Sequence, residues 1–153
     1  MRVILLGVLL SFSAFPALAQ WDWWSWGMMP DRLFGASRGA VIPTESDPGD
    51  VRDDAGTILY PRGEYATGLG GVLVRVTLLF DAEDRLALVA GKPSDHEDCP
   101  AVEAGLDALY GEGRVTDSAS TRIVRWQHGD HRVELTSMPG NELCDFVFRP
   151  PER

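Results

Sequence analysis

The sequence predicts an α+β domain: an antiparallel sheet of about five strands in ββαβββ order, with one helix packed on one face. Three observations predict it. Five short runs between Val72 and Arg149 alternate apolar with polar residues, the period of a half-buried strand. One stretch between them, "SDHEDCPAVEAGLDALYGEG", has the period of a helix instead. Two cysteines, Cys99 and Cys144, fall where that helix and the last strand would meet.

Two segments precede this ββαβββ domain, which occupies residues 71–150. The opening "MRVILLGVLLSFSAFPALA" carries one charge at Arg2, an apolar run and the small-x-small close Ala17-Leu18-Ala19, so a signal peptide is expected over 1–19. An uncleaved anchor is the alternative, although the run is short for a span of about 20 residues. Residues 20–70 read as a Trp-rich arm followed by an irregular, loop-rich segment full of Gly, Pro and Asp. Within it "TILY" is at most a short strand, and "TGLGG" reads as a flexible entry to the sheet.

In the domain, "VLVRVTLLF" turns Val72, Val74, Val76, Leu78 and Phe80 to one face. The turn "DAED" leads to "RLALVA", which completes a hairpin. The helix follows; Gly111 stops it after Tyr110, and Cys99, Val102, Leu106, Leu109 and Tyr110 share one arc of it. In "TRIVRWQHGDHRVELTS", Gly129-Asp130 makes a two-residue turn. That register sets His128 opposite His131, Trp126 opposite Val133, Val124 opposite Leu135 and Arg125 opposite Glu134. A slip by one residue would break both the apolar match and the ion pair. The last strand, "LCDFVFR", turns Cys144, Phe146 and Phe148 inward, within reach of Cys99, so a Cys99–Cys144 disulfide is expected.

Composition restricts the function. With 14 basic and 23 acidic residues the formal net charge is −9, and losing the leader would remove one arginine and no acid. Such a chain opposes nonspecific attraction to nucleic acid or anionic lipid. Chemical motifs are weak. "GASRG" matches the pattern around hydrolase nucleophiles but lacks the strand before and helix after Ser37 that the motif needs. His96-x-x-Cys99 with His128-x-x-His131 offers zinc-type ligands, yet the register puts the two pairs at opposite ends of the sheet. His128 and His131 alone remain a weak candidate for a metal or a pH-sensitive pair. The acids Asp47, Asp50, Asp53 and Asp54 lack the order of a calcium loop and read as a solvated loop. No nucleophile, base and stabilising group can be placed together, so no enzyme and no cofactor are expected.

Trp21, Trp23, Trp24 and Trp26 stand out. Neither a strand nor a helix puts all four on one side, and full exposure would leave about 600–1,000 Å² of ring uncovered. They are expected to dock on the sheet face away from the helix, on a partner, or on a membrane interface if the leader stays uncleaved. That sheet face is read as carrying Leu73, Leu79, Val89, Ile123 and Val147 among Arg75, Arg125, Arg132 and Arg149. The resulting expectation is an exported, periplasmic or secreted binding module. Its partner would be an envelope protein or glycan, met through the tryptophans and Arg75, Arg125 and Arg132. The alternative is a structural or membrane-peripheral envelope protein tethered by its Trp-rich segment.

Overall fold

Alternating apolar residues do form strands, but there are more of them than the pattern reveals. The computed structural model describes residues 23–44, 51–138, 140 and 142–151; the leader and Trp21 lie outside these. A short helix, α1 (Pro30–Ala36), precedes β1 (Ile42–Pro43), β2 (Tyr60–Leu69), β3 (Val72–Phe80) and β4 (Leu86–Pro93). A 3₁₀ turn (His96–Asp98) leads into α2 (Cys99–Tyr110). Then come β5 (Arg114–Asp117), β6 (Arg122–His128), β7 (His131–Met138) and β8 (Leu143–Arg149). All eight strands join one antiparallel sheet in the order β1-β2-β3-β4-β8-β7-β6-β5. β8, the last in sequence, lies between β4 and β7 and so unites the two halves.

This corrects the expected five strands in ββαβββ order: four strands precede α2 and four follow it. β1 is only two residues long, and all four residues of β5 are exposed, so neither carries an apolar alternation. The larger omission is β2. Its inward positions are Gly63, Tyr65, Thr67 and Leu69, so small and polar residues hide the period. Gly63 is needed there: a Cβ would lie 2.6 Å from Val41 and 2.9 Å from the Phe34 ring. "TGLGG" is likewise no flexible entry. Leu69 pairs with Val72, and Gly70 and Gly71, at φ 61° and 83°, make the two-residue turn of a hairpin.

One face of the sheet carries the main core. Val74, Val76, Leu78, Phe80, Val124, Val133, Leu135, Phe146 and Phe148 are all buried beneath Cys99, Val102 and Leu106 of α2. The β6–β7 register is as read: His128 faces His131, Trp126 faces Val133, and Arg125 faces Glu134 with an ion pair of 2.7 Å. Val89 does not belong to the outer face, where its spacing had placed it. Leu79 pairs with Leu88 and Phe80 with Leu86, so Ala87 is an extra residue, and the parity of β4 reverses there. Val89 is therefore in the main core, while Leu88 joins Leu59 and Leu79 in a smaller outer cluster.

The helix is fastened at both ends. At its start the Cys99–Cys144 disulfide closes a 45-residue separation, worth about 4 kcal/mol in the chain-entropy model. The bond points to an oxidising, exported environment. At its end the Trp126 indole donates to the Asp107 carboxylate and to the Gly111 carbonyl, both at 2.9 Å. Between them Arg122 of β6 grips Glu103 through two bonds of 3.1 and 2.8 Å. That contact raises the Arg122 pKa above its ordinary value.

A backbone approach sets the height of α2 above the sheet. A Cβ on Gly105 would lie 2.4 Å from the Gly70 nitrogen, which has no flexible side chain to yield. Gly105→Ala is therefore expected to destabilise the fold by about 1–3 kcal/mol through overpacking. Gly68→Ala, where nothing lies within 4 Å of the added carbon, should shift stability by less than about 1 kcal/mol. Urea denaturation of the two variants checks this; similar losses in both would contradict the contact.

Candidate functional site

The helix cannot cover the inner face alone. Twelve residues of α2 reach about 18 Å, whereas eight strands span about 34 Å from first to last. The tryptophan segment covers much of the remainder. Residues 23–28 form an irregular turn that is tied to the start of β4. Gly27 donates to the Leu86 carbonyl at 2.9 Å, and Leu86 donates to the Met28 carbonyl at 3.0 Å. Trp23 packs edge-on against Tyr65 of β2, with ring centroids 5.3 Å apart. Trp24 meets Trp26 at 5.0 Å and Phe148 of β8 at 6.1 Å. The Trp26 indole reaches further still and donates to the Asp130 carbonyl, in the β6–β7 turn, at 2.7 Å.

Trp23, Trp24 and Trp26 thus dock on the protein itself, but on the helix-bearing face rather than the outer one. The irregular backbone removes the strand-or-helix dilemma. With Gly27 at φ 76°, the chain turns three rings toward one surface. Phe34 of α1 and Met28 pack against the same core. Trp21, the fourth ring, lies outside the described residues. Among the described residues no helix is long and apolar enough to cross a membrane.

His128 and His131 join this aromatic layer at the hairpin tip. Their centroids are 5.8 Å apart, and the Tyr110 ring packs against them at 5.4 and 5.3 Å respectively. His131 Nδ1 lies 2.9 Å from the Asp130 carboxylate. Its hydrogen bond holds the Asp130 carboxyl below the usual range. Among the described residues no three His, Cys, Asp or Glu side chains are arranged to hold a metal ion. Cys99, in its disulfide, does not serve with His96 as a ligand pair. Ser37 is a turn-former: its hydroxyl donates to the Phe34 carbonyl at 2.8 Å and accepts from the Val41 amide at 3.4 Å.

The outer face has the opposite character. Arg114, Arg125, Glu134, Val147, Ala90, Thr77 and Glu64 form one continuous cross-strand row from β5 to β2. Arg75 pairs with Lys92 on the other half, beside Leu73, which is 58% exposed. Asp145 also lies on this face, and burial raises its pKa against the opposing pull of Lys92. One end of the face is covered by residues 51–59, through Leu59 packed on Leu79 and Leu88.

The acidic loop, read as solvated, is mostly exposed and also makes specific contacts. Asp53 folds its own turn by accepting from the amides of Ala55 and Thr57. Asp54 reaches across the sheet to Arg132 at 3.0 Å and Arg149 at 3.1 Å. Asp47 and Asp50 lie outside the described residues. Beside these pairs Arg114, Arg125, Arg132 and Arg149 line a recess of about 690 Å³. Arg125 and Arg132 were foreseen at this surface; Arg114 was not, because an exposed four-residue edge strand leaves no periodic signal. A second groove, about 780 Å³, runs beside α2 past Glu97, Glu103 and Asp107. Its one arginine, Arg122, is already held by Glu103 and Asp117.

The cover over β2 generates a pH prediction. Burial raises the Tyr65 pKa well above its ordinary 10.0, with Trp24 partly offsetting the shift. A neutral Tyr65 therefore stabilises the folded state fully below about pH 10, and that contribution is lost as pH rises further. Tyr65→Phe should lose less stability than the parent between pH 8 and pH 11 when both are unfolded in urea. Equal losses would mean that Tyr65 does not titrate against burial. No family model, curated protein or solved structure matches the chain.

Proposed function

We propose that the protein is an exported binding module, periplasmic or secreted, that meets a protein partner through the outer face of its sheet. Binding rather than catalysis is the proposed role. The carrying observation is a segregation of side chains. Three tryptophans close the inner face, while six of the chain's fourteen cationic residues stand on the outer one: Arg75, Lys92, Arg114, Arg125, Arg132 and Arg149. The same face carries Glu64, Glu134, Asp145 and the side chain of Asp54, so six cations against four acids give it a formal charge of +2 in a chain of net charge −9. Exposed Leu73 beside Arg75 adds an apolar anchor of the kind interfaces bury. Export is supported by the disulfide and by the apolar leader with its small-x-small close.

A tether built from the tryptophans is less well supported, since it would have to draw three rings out of the core. The test is position-specific photo-crosslinking in the native host. A crosslinking residue at Leu73 or Ala66, both exposed on the outer face, is expected to give a discrete protein adduct. The same residue at Ala82 or Ala104, exposed elsewhere, should give none. Adducts from all four sites alike, or from none, would overturn the proposal.

A further inference from the structure

We infer that the recess at the β5 end of the outer face is a receptor for an extended acidic peptide. Carboxylate–arginine pairs and strand addition along β5 would hold it. The inference rests on the outer face being the partner surface, and it names the chemistry of what binds there.

The first support is an excess of like charge that the fold does not neutralise. Four arginines come from four neighbouring strands, and their cross-strand partners are each other: Arg114 stands opposite Arg125, and Arg132 opposite Arg149. Like charges placed directly opposite repel, so such pairs need anions between them. Resident acids supply some. Glu134 meets Arg125 at 2.7 Å and Arg149 at 4.0 Å, and Asp54 spans Arg132 and Arg149. Arg114 makes no ion pair among the described residues. Glu112 also lines this side of the recess but makes no ion pair with Arg114 among the described residues, so the β5 side keeps a cation that no resident acid contacts.

The second support is that the surface already grips one carboxylate. Each oxygen of Asp54 meets a different arginine, at 3.0 and 3.1 Å, so the spacing of Arg132 and Arg149 suits a single carboxylate held between them. Asp54 arrives on a loop and its side chain is 59% exposed. It therefore shows the geometry in which arginines of this face take a carboxylate.

The third support decides in favour of a peptide. β5 is the edge of the sheet, and all four of its residues are exposed, so one side of its backbone is open to pairing. An extended peptide added there turns alternate side chains to the outer face, about 7 Å apart, alongside Arg114 and Arg125. It runs alongside β5, so one acid comes beside Arg114, and acids at every second position keep that pairing in any register.

The test uses a fluorescent peptide of four Glu-Thr repeats and reads anisotropy with the disulfide-bonded protein. Saturable binding is expected, weakened about tenfold or more by Arg114→Gln combined with Arg125→Gln. Asp54→Asn, whose partners Arg132 and Arg149 stand two and three strands from β5, should change it by less than about twofold. Methylating the peptide's backbone nitrogens at alternate positions should abolish it without altering the protein. Three results would each overturn the inference: equal affinity for the methylated peptide, preference for polygalacturonate over the peptide, or indifference to the arginine pair. If crosslinking from Leu73 persists in the double arginine variant, the outer-face reading stands and the recess alone is lost.

Discussion

An eight-stranded sheet with a single twelve-residue helix has an inner face nearly twice as wide as its cover is long. Leaving Phe148, Phe80 and the β2 side of that face open to water would cost several fully buried side chains at about 1.5–3 kcal/mol each. The chain resolves the shortfall with a second cover made of Trp23, Trp24, Trp26, Met28 and Phe34, which together pack on the core. Large rings suit the task because a short segment can shield a wide area with few ordered backbone residues. The disulfide, the Trp126 bonds and the Gly70–Gly105 approach then fix where the first cover ends. That position leaves the second its place.

The same constraint explains what could be read from the residues alone. β3, β6, β7 and β8 alternate large apolar with polar side chains and α2 has a helical period, so the two hairpins, the Arg125–Glu134 contact and the disulfide were legible. β2 was not, because its inner side chains are chosen to make room for other parts. Gly63 admits Val41 and Phe34, and Gly70 admits the helix backbone. A signal carried by the absence of side chains is invisible to hydrophobic periodicity. Val89 was misassigned for a different reason: one extra residue at Ala87 reverses every later side chain in the strand.

The candidate site was legible only in part. Arg125 and Arg132 follow from the hairpin register, but their neighbour Arg114 lies on a strand with no buried side chain to announce it. Asp54 was read as solvated because nothing local distinguishes it from Asp53, which serves its own turn. Only the folded chain shows that one of two adjacent aspartates turns back on itself while the other reaches the sheet. The tryptophans posed the reverse problem. Their density suggested docking on the sheet's outer face, a partner or a membrane, whereas the three described ones pack on the inner face.

The placement of β8 bears on how the protein can be assembled. The last described strand in sequence sits mid-sheet, and both the floor beneath Trp24 and the disulfide partner of Cys99 belong to it. Trp26, one of the earliest described residues, bonds to a carbonyl 104 positions further along. A chain emerging from its N-terminus therefore carries an unsheltered aromatic segment and two separate half-sheets until β8 arrives. Such a sheet closes late, because its central strand pairs with elements far apart in sequence.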